Sequence, residues 1–106
     1  MEFTKVEGLG NDFIVIDRRR EGGGVDPRLA VSLCDRRFGI GADGVLVVSG
    51  SDSADLRMDV INNDGSQPEM CGNGLRCIVS MFASSRSGVQ VETGAGVLFG
   101  ERLEDG

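Results

Sequence analysis

The chain has 106 residues and a formal net charge of −6 at pH 7. This length suits a single domain, and the acidic balance, with arginines scattered along the chain, argues against a nucleic-acid surface. Because Trp and Tyr are absent, the core must consist mainly of Val, Ile and Leu, and no apolar stretch is long enough to span a membrane.

The first third of the chain predicts two strands and a helix. Residues 4–6 and 13–17 have strand character, and residues 7–12 between them contain the Gly, Asn and Asp of a tight loop. Residues 18–26, with three arginines and three consecutive glycines, predict an exposed loop. Asp26 and the following proline predict a helix start, the apolar residues after them recur at helical spacing, and Gly39 is the predicted end.

The remaining residues alternate strands with a second helix. Residues 45–48 and 56–61 predict two strands, and the apolar residues between 75 and 82 recur with a helical period, closed by residues 84–88. Residues 89–93 and 97–103 flank a glycine-rich turn and predict a terminal hairpin. The expected fold class is therefore α+β: a mixed, mainly antiparallel sheet with two helices in one domain, residues 1–106.

The segment Gly39-Ile40-Gly41-Ala42-Asp43-Gly44 satisfies the glycine spacing of dinucleotide-binding loops. That fingerprint requires a strand before the glycines and a helix after them, so that a pyrophosphate meets a helix N-terminus. Here a helix precedes and a strand follows, so we interpret the segment as a helix end and tight turn.

Cys71 has the most informative surroundings in the chain. It precedes Gly72, Asn73 and Gly74 at the start of the second helix pattern. Backbone N–H groups at a helix start are unpaired and favour a thiolate or a bound carboxylate, and glycines let a ligand approach those groups. No His exists in the chain to act as a base, so a thiolate that itself takes a proton fits better than a catalytic triad.

Cys34 and Cys77 have the character of packing residues. Cys34 lies on the apolar side of the first helix, and Cys77 lies well past the first turn of the second. No pair of cysteines has the spacing of a zinc site, so we expect no metal. Three thiols, an odd number, and an N-terminus without the order of a secretory signal favour a cytoplasmic protein.

Two asparagine-rich loops adjoin predicted strand ends, around Asn11 and around Asn62. Their amides could grip the carboxylate and ammonium groups of an amino acid. They could equally serve only the local turn, as Asn and Asp side chains often do.

Four motifs in order resemble the diaminopimelate epimerase family: Gly8-Leu9-Gly10-Asn11-Asp12-Phe13, residues 34–44, Asn62-Asn63-Asp64-Gly65-Ser66 and Met70-Cys71-Gly72-Asn73-Gly74-Leu75-Arg76-Cys77. The resemblance extends to residue 96 and covers the N-terminal half of such an enzyme. It implies that residues 1–106 form the N-terminal lobe, ending near the lobe's end, with a C-terminal lobe as the missing partner.

The resemblance implies a cofactor-independent isomerase that interconverts LL- and meso-diaminopimelate with two thiols on opposite sides of the substrate Cα. Cys71 matches the catalytic cysteine of the first lobe. Asn11, Asn62, Gly72 and Asn73 match residues that contact the substrate. Some members carry a glutamine contact where this chain has glycine at position 44, so no side-chain role transfers there.

One further departure from the family pattern concerns the cysteines, and two alternative functions remain open. Neither Cys34 nor Cys77 matches the family's second catalytic cysteine, so we expect the 106-residue chain to be inactive alone. One alternative is a non-catalytic lobe that binds or forms a homodimer, because an absent partner lobe would leave apolar surface exposed. The other is a related cofactor-independent racemase of another amino acid, such as proline.

Overall fold

The computed structural model describes residues 2–8, 10–83 and 88–101 of the chain. They form one mixed sheet and two helices. The strands are β1 (Thr4–Gly8), β2 (Asn11–Asp17), β3 (Gly44–Ser49), β4 (Leu56–Asn62), β5 (Val89–Thr93) and β6 (Gly96–Gly100), and the helices are α1 (Pro27–Cys34) and α2 (Gly72–Phe82).

The strands lie in the sheet in chain order, from β1 at one edge to β6 at the other. The pairs β1–β2, β3–β4 and β5–β6 are antiparallel and locally connected. The pairs β2–β3 and β4–β5 are parallel, and each is bridged by a helix, because parallel strands require a crossover. The predicted mixed, mainly antiparallel sheet with two helices is confirmed.

The two helices cover opposite faces of the sheet. Successive residues of β2 divide between them: Phe13 and Val15 pack in the core on the α2 face, and Ile14 and Ile16 pack in the core on the α1 face. Both faces of the central strands are thereby removed from water, which explains why β2 and β3 consist of continuous apolar runs in the sequence. Neither helix is long and apolar enough to cross a membrane within the described residues.

The predicted helix end at Gly39 is wrong. α1 ends at Cys34, because Asp35 has an extended backbone (φ −60°, ψ 121°) and its Oδ1 accepts the N–H of Phe38 at 3.0 Å. This turn ends the helix five residues early. Gly39 instead allows a close approach to the end of α1, since a Cβ there would lie 2.8 Å from the carbonyl oxygen of Leu33.

The first hairpin is tighter than predicted. β1 reaches Gly8 and β2 begins at Asn11, so the loop shrinks to two positions, of which Gly10 has φ 90°. Leu9 lies outside the described residues, as do residues 84–87, predicted to close the second helix, and residues 102–103, predicted to end the last strand. The predicted terminal hairpin is present as β5 and β6, and residues 19–24 are exposed as expected.

Candidate active site

Cys71 is the N-cap residue of α2, with an extended backbone (φ −132°, ψ 118°). Its carbonyl oxygen accepts the N–H of Leu75 at 2.8 Å, whereas its side chain makes no capping hydrogen bond. The N–H groups of Gly72, Asn73 and Gly74 precede the first intrahelical donor and so have no acceptor within the helix. The predicted place of Cys71 at a helix start is confirmed, and the residue is half-buried.

The structure explains the two glycines after Cys71 in different ways. Gly74 is buried, and a Cβ there would lie 2.8 Å from Leu46 Cδ2, so glycine lets the first turn of α2 press against β3. Gly72 is exposed, and a Cβ there would meet nothing within 4 Å. Packing therefore does not require glycine at position 72, where the absence of a side chain leaves the helix end open to a ligand.

Asn73 connects the start of α2 to the start of β2. Its Nδ2 donates to Asn11 Oδ1 at 2.5 Å, although the two residues are 62 positions apart. The strand opposite Asn11 also approaches the helix closely, because a Cβ on Gly8 would lie 2.9 Å from Cys77 Sγ. The structure thus brings four of the residues singled out in the sequence, Cys71, Gly72, Asn73 and Asn11, into one cluster.

The sequence interpretation missed the charged residues that hold Asn11. Asn11 Nδ2 donates to Asp43 Oδ2 at 3.2 Å, and the same oxygen accepts the N–H of Asp12 at 2.9 Å. Arg36 donates to both carboxylates, to Asp12 at 2.8 and 3.1 Å and to Asp43 at 3.2 Å. The only signal in the sequence was an acidic residue beside glycine or asparagine in each of two motifs, and their pairing becomes visible only once β2 and β3 are known to be neighbours.

Asp12 and Arg36 form an ion pair within this cluster. The Arg36 guanidinium holds the pKa of the Asp12 carboxyl well below its usual range, burial opposes that effect, and Lys5 adds to the lowering from 3.4 Å. Asp12 in turn raises the pKa of Arg36 above its ordinary value. The ion pair between Asp12 and Arg36 is therefore present at neutral pH.

Asn62 lies on the same side of the sheet as Cys71. Every second residue of β4 before it, Leu56, Met58 and Val60, packs on the α2 face, so the alternation places Asn62 there too. Its side chain donates to Ser66 Oγ at 3.0 Å and its N–H donates to the Ser66 carbonyl at 2.8 Å. Asn62 therefore lies on the same face of the sheet as Cys71, but its side chain bonds to its own loop rather than to Asn11 or Asn73.

An open cavity of about 560 Å³ adjoins the Asn11 end of this cluster. Its walls are mostly polar and carry the ions described above; the lining residues are Glu7, Gly8, Gly10, Asn11, Asp12, Arg36 and Asp43. Cys71 does not line this cavity. The cluster is thus a half-open surface, with the thiol at one end and the polar depression at the other.

A family model described as "Diaminopimelate epimerase" matches residues 3–106. The chain belongs to the diaminopimelate epimerase family.

Curated relatives agree with this assignment. The chain is 54% identical to a diaminopimelate epimerase of Caldanaerobacter subterraneus, with 95% of this chain and 38% of the relative covered. It is 46% identical to a diaminopimelate epimerase of Carboxydothermus hydrogenoformans, with 99% of this chain and 41% of the relative covered. The chain therefore spans about 40% of the length of such epimerases, at their N-terminal end.

A solved structure supports the fold. The crystal structure of a Bacillus anthracis phenazine biosynthesis protein of the PhzF family superposes with a TM-score of 0.68 at 20% sequence identity. The match covers 98% of this chain and 36% of that protein. At this identity the similarity shows a shared fold and nothing about activity.

The two other thiols have the packing positions expected of them. Cys34 is 3% exposed and belongs to the core on the α1 face, across the sheet from Cys71. Cys77 is 7% exposed and belongs to the core beneath α2. Burial raises the pKa of both thiols, so both are protonated at neutral pH. Of the three cysteines in this chain, only Cys71 combines partial exposure with a helix start.

Proposed function

We propose that this chain supplies one of the two proton-transferring sides of an epimerase that interconverts LL- and meso-diaminopimelate. The observation that carries the proposal is the half-buried Cys71 at a helix start whose first backbone donors have no partner among the described residues, in one cluster with Asn73 and Asn11. Family membership supports the substrate class.

The proposed chemistry is a proton transfer at the substrate Cα. The Cys71 thiolate removes the Cα proton, forming an S–H bond, and the electron pair of the broken C–H bond remains on the substrate and spreads into its carboxylate. The N–H groups of Gly72 to Gly74 would stabilise that carboxylate as its negative charge grows. A thiol on the opposite side of the Cα then returns a proton, which inverts the centre.

The remaining roles follow from position. Asn11, Asn73 and Gly72 would contact the substrate at the helix start, and Asn62 would reach it from β4 on the same face after releasing its own loop. The opposing thiol would come from the C-terminal lobe, since Cys34 and Cys77 are buried elsewhere. The unpaired cysteines also favour a reducing compartment, and we propose the cytoplasm.

Fusion to the C-terminal part of the Caldanaerobacter relative tests this function, since that protein is 54% identical over the shared region. Incorporation of deuterium at the Cα of diaminopimelate in deuterated water would be measured. We expect exchange by the fusion, none by the 106-residue chain alone, and about a thousandfold loss in Cys71→Ala. Cys34→Ala is the matched control and should retain exchange, while a folded fusion that exchanges no proton would overturn the proposal.

Two alternatives have specific discriminating results. Exchange of proline but not of diaminopimelate by the same fusion would indicate a related racemase. A homodimerising, non-catalytic module is favoured by the edge strand β6, on which Val97 is 46% and Phe99 61% exposed. Sedimentation of the 106-residue chain decides this second alternative, because a monomer at all concentrations would leave it without support.

A further inference from the structure

The side chains of Asn73, Asn11 and Asp43 form a hydrogen-bonded relay that leads away from the start of α2. Asn73 donates from Nδ2 to Asn11 Oδ1, and Asn11 donates from Nδ2 to Asp43 Oδ2 at 3.2 Å. Every bond in the relay therefore runs in the same direction, from the helix towards the carboxylate.

The carboxylate fixes this direction. An ionised Asp accepts hydrogen bonds and donates none, whereas each Asn amide has one donor end and one acceptor end. Asp43 Oδ2 is pinned by the N–H of Asp12 at 2.9 Å, and its other oxygen is held by Arg36 at 3.2 Å. Asn11 must therefore turn its NH₂ group to Asp43 and its oxygen to Asn73.

The orientation of Asn11 in turn fixes the orientation of Asn73, the residue at the helix end of the relay. Because Asn73 meets the oxygen of Asn11, it must use its NH₂ group there, which leaves its own Oδ1 as an acceptor at the start of α2. No described residue donates to that oxygen. The helix start thus presents backbone donors and one oriented acceptor side by side.

We propose that Asp43 is a positioning residue that orients Asn73 Oδ1 towards the ammonium group of the amino-acid substrate. The backbone N–H groups beside it then face the substrate carboxylate, so the two charged groups on the Cα are distinguished and its proton is directed at Cys71. This inference rests on the proposed function, because it assigns the substrate to the Cys71 end of the cluster.

The test compares three variants in the active fusion. Asp43→Ala removes the acceptor, so both amides lose their fixed direction, and we expect KM for diaminopimelate to rise about tenfold with little change in kcat. Asp43→Asn keeps an oxygen for the N–H of Asp12 and for Asn11, so KM should stay close to that of the unmodified fusion. The control is Asp59→Ala, which removes a carboxylate bonded to Arg57 at 3.1 Å on the other face of the sheet.

A second readout does not depend on activity. In the 106-residue chain, ¹H–¹⁵N spectra would show the side-chain NH₂ resonances of Asn73 shifted by Asp43→Ala and unchanged by Asp59→Ala. Backbone dispersion in the same spectra establishes that each variant is folded. An unmodified fusion without exchange counts against the proposed function alone, and these spectra still decide the direction of the relay.

Three results would overturn the positioning role. These are an unchanged KM in Asp43→Ala, a lower kcat at unchanged KM, which indicates only a smaller folded fraction, and unchanged Asn73 resonances. An Asp43→Asn variant as impaired as Asp43→Ala would assign the effect to the Arg36 ion pair instead, and would also reject the relay.

Discussion

The two helices of this chain begin in opposite ways. α1 begins with Asp26, whose carboxylate accepts the N–H of Arg28 at 2.9 Å, and with proline at the first turn, which has no N–H to satisfy. α2 begins with Cys71, whose side chain caps nothing, followed by glycine, asparagine and glycine. The start of α1 has a side-chain cap, whereas the first N–H groups of α2 have no partner among the described residues.

The same contrast holds for the cysteines. Cys34 in α1 is buried on one face of the sheet, while Cys71 at the start of α2 is half-buried on the other. A helix that serves only the fold satisfies its own end, because an unmet backbone donor costs stability. The first donors of α2, unmet among the described residues, therefore mark its start as the candidate ligand site without reference to any relative.

Thiol reactivity should show the largest difference between the two helices. In the native chain at neutral pH, we expect iodoacetamide to modify Cys71 about 100-fold faster than Cys34 or Cys77, because the buried thiols react only when the structure opens. Peptide mass mapping over time measures the three rates. In urea the rates should become similar, and a native Cys34 as reactive as Cys71 would remove the distinction between the two helices.

Acid titration should also distinguish the two helix regions, with a smaller difference than thiol modification. Hydrogen bonds from Arg28 lower the pKa of Asp26, and Arg36 lowers the pKa of Asp12 much further. Carboxylates with a lowered pKa stabilise the fold above their unfolded pKa, about 3.9, and lose that contribution as the pH falls through the folded pKa. The cap of α1 is therefore lost at a higher pH than the ion pair between Asp12 and Arg36.

Amide shifts in ¹H–¹⁵N spectra recorded at falling pH would follow both events. The Arg28 N–H reports on Asp26, and the Asp43 N–H reports on Asp12, whose Oδ1 accepts it at 3.1 Å. Asp26→Asn keeps a capping oxygen but cannot titrate, so it should abolish the earlier transition alone. Coincident midpoints in the unmodified chain would show that the two regions unfold together.

The local structure was largely predictable from the sequence. The order of strands and helices, the cap at Asp26 and the position of Cys71 at a helix start depend on patterns within a few residues of one another. The wrong prediction for the end of α1 also concerns residues that are close in the sequence. Gly39 has the sequence features of a helix stop, but the Asp35 carboxylate turns the backbone earlier.

The candidate site was predictable only in part. Asn11 and Asn73 were identified separately, yet their contact spans 62 positions and depends on how β1 and β2 lie against α2. Asp43 lies in the segment interpreted as a turn, and Arg36 lies in the predicted first helix. Their bonds to the start of β2 exist only in the parallel pairing of β2 with β3. Long-range pairing decides these contacts, and no local pattern encodes it.

The smallest expected effect is the most direct test of the contrast between helix starts. Cys71 has the extended backbone of an N-cap residue but lacks a capping oxygen. In Cys71→Ser the hydroxyl should accept an N–H from the first turn, whereas Cys71→Ala offers no acceptor. We expect the serine variant to exceed the alanine variant in free energy of unfolding by about 1 kcal/mol, measured with urea.

The matched change at the other helix should have the opposite sign. Asp26→Ala removes an existing cap and should lower the midpoint of thermal unfolding by a few degrees, while Asp26→Ser should recover most of the loss. Cys71→Ser would thus be more stable than Cys71→Ala, although both variants lack the thiol of the proposed proton transfer. Equal stability of the serine and alanine variants at position 71 would mean that the start of α2 is already satisfied, and the reason for assigning a ligand to it would be lost.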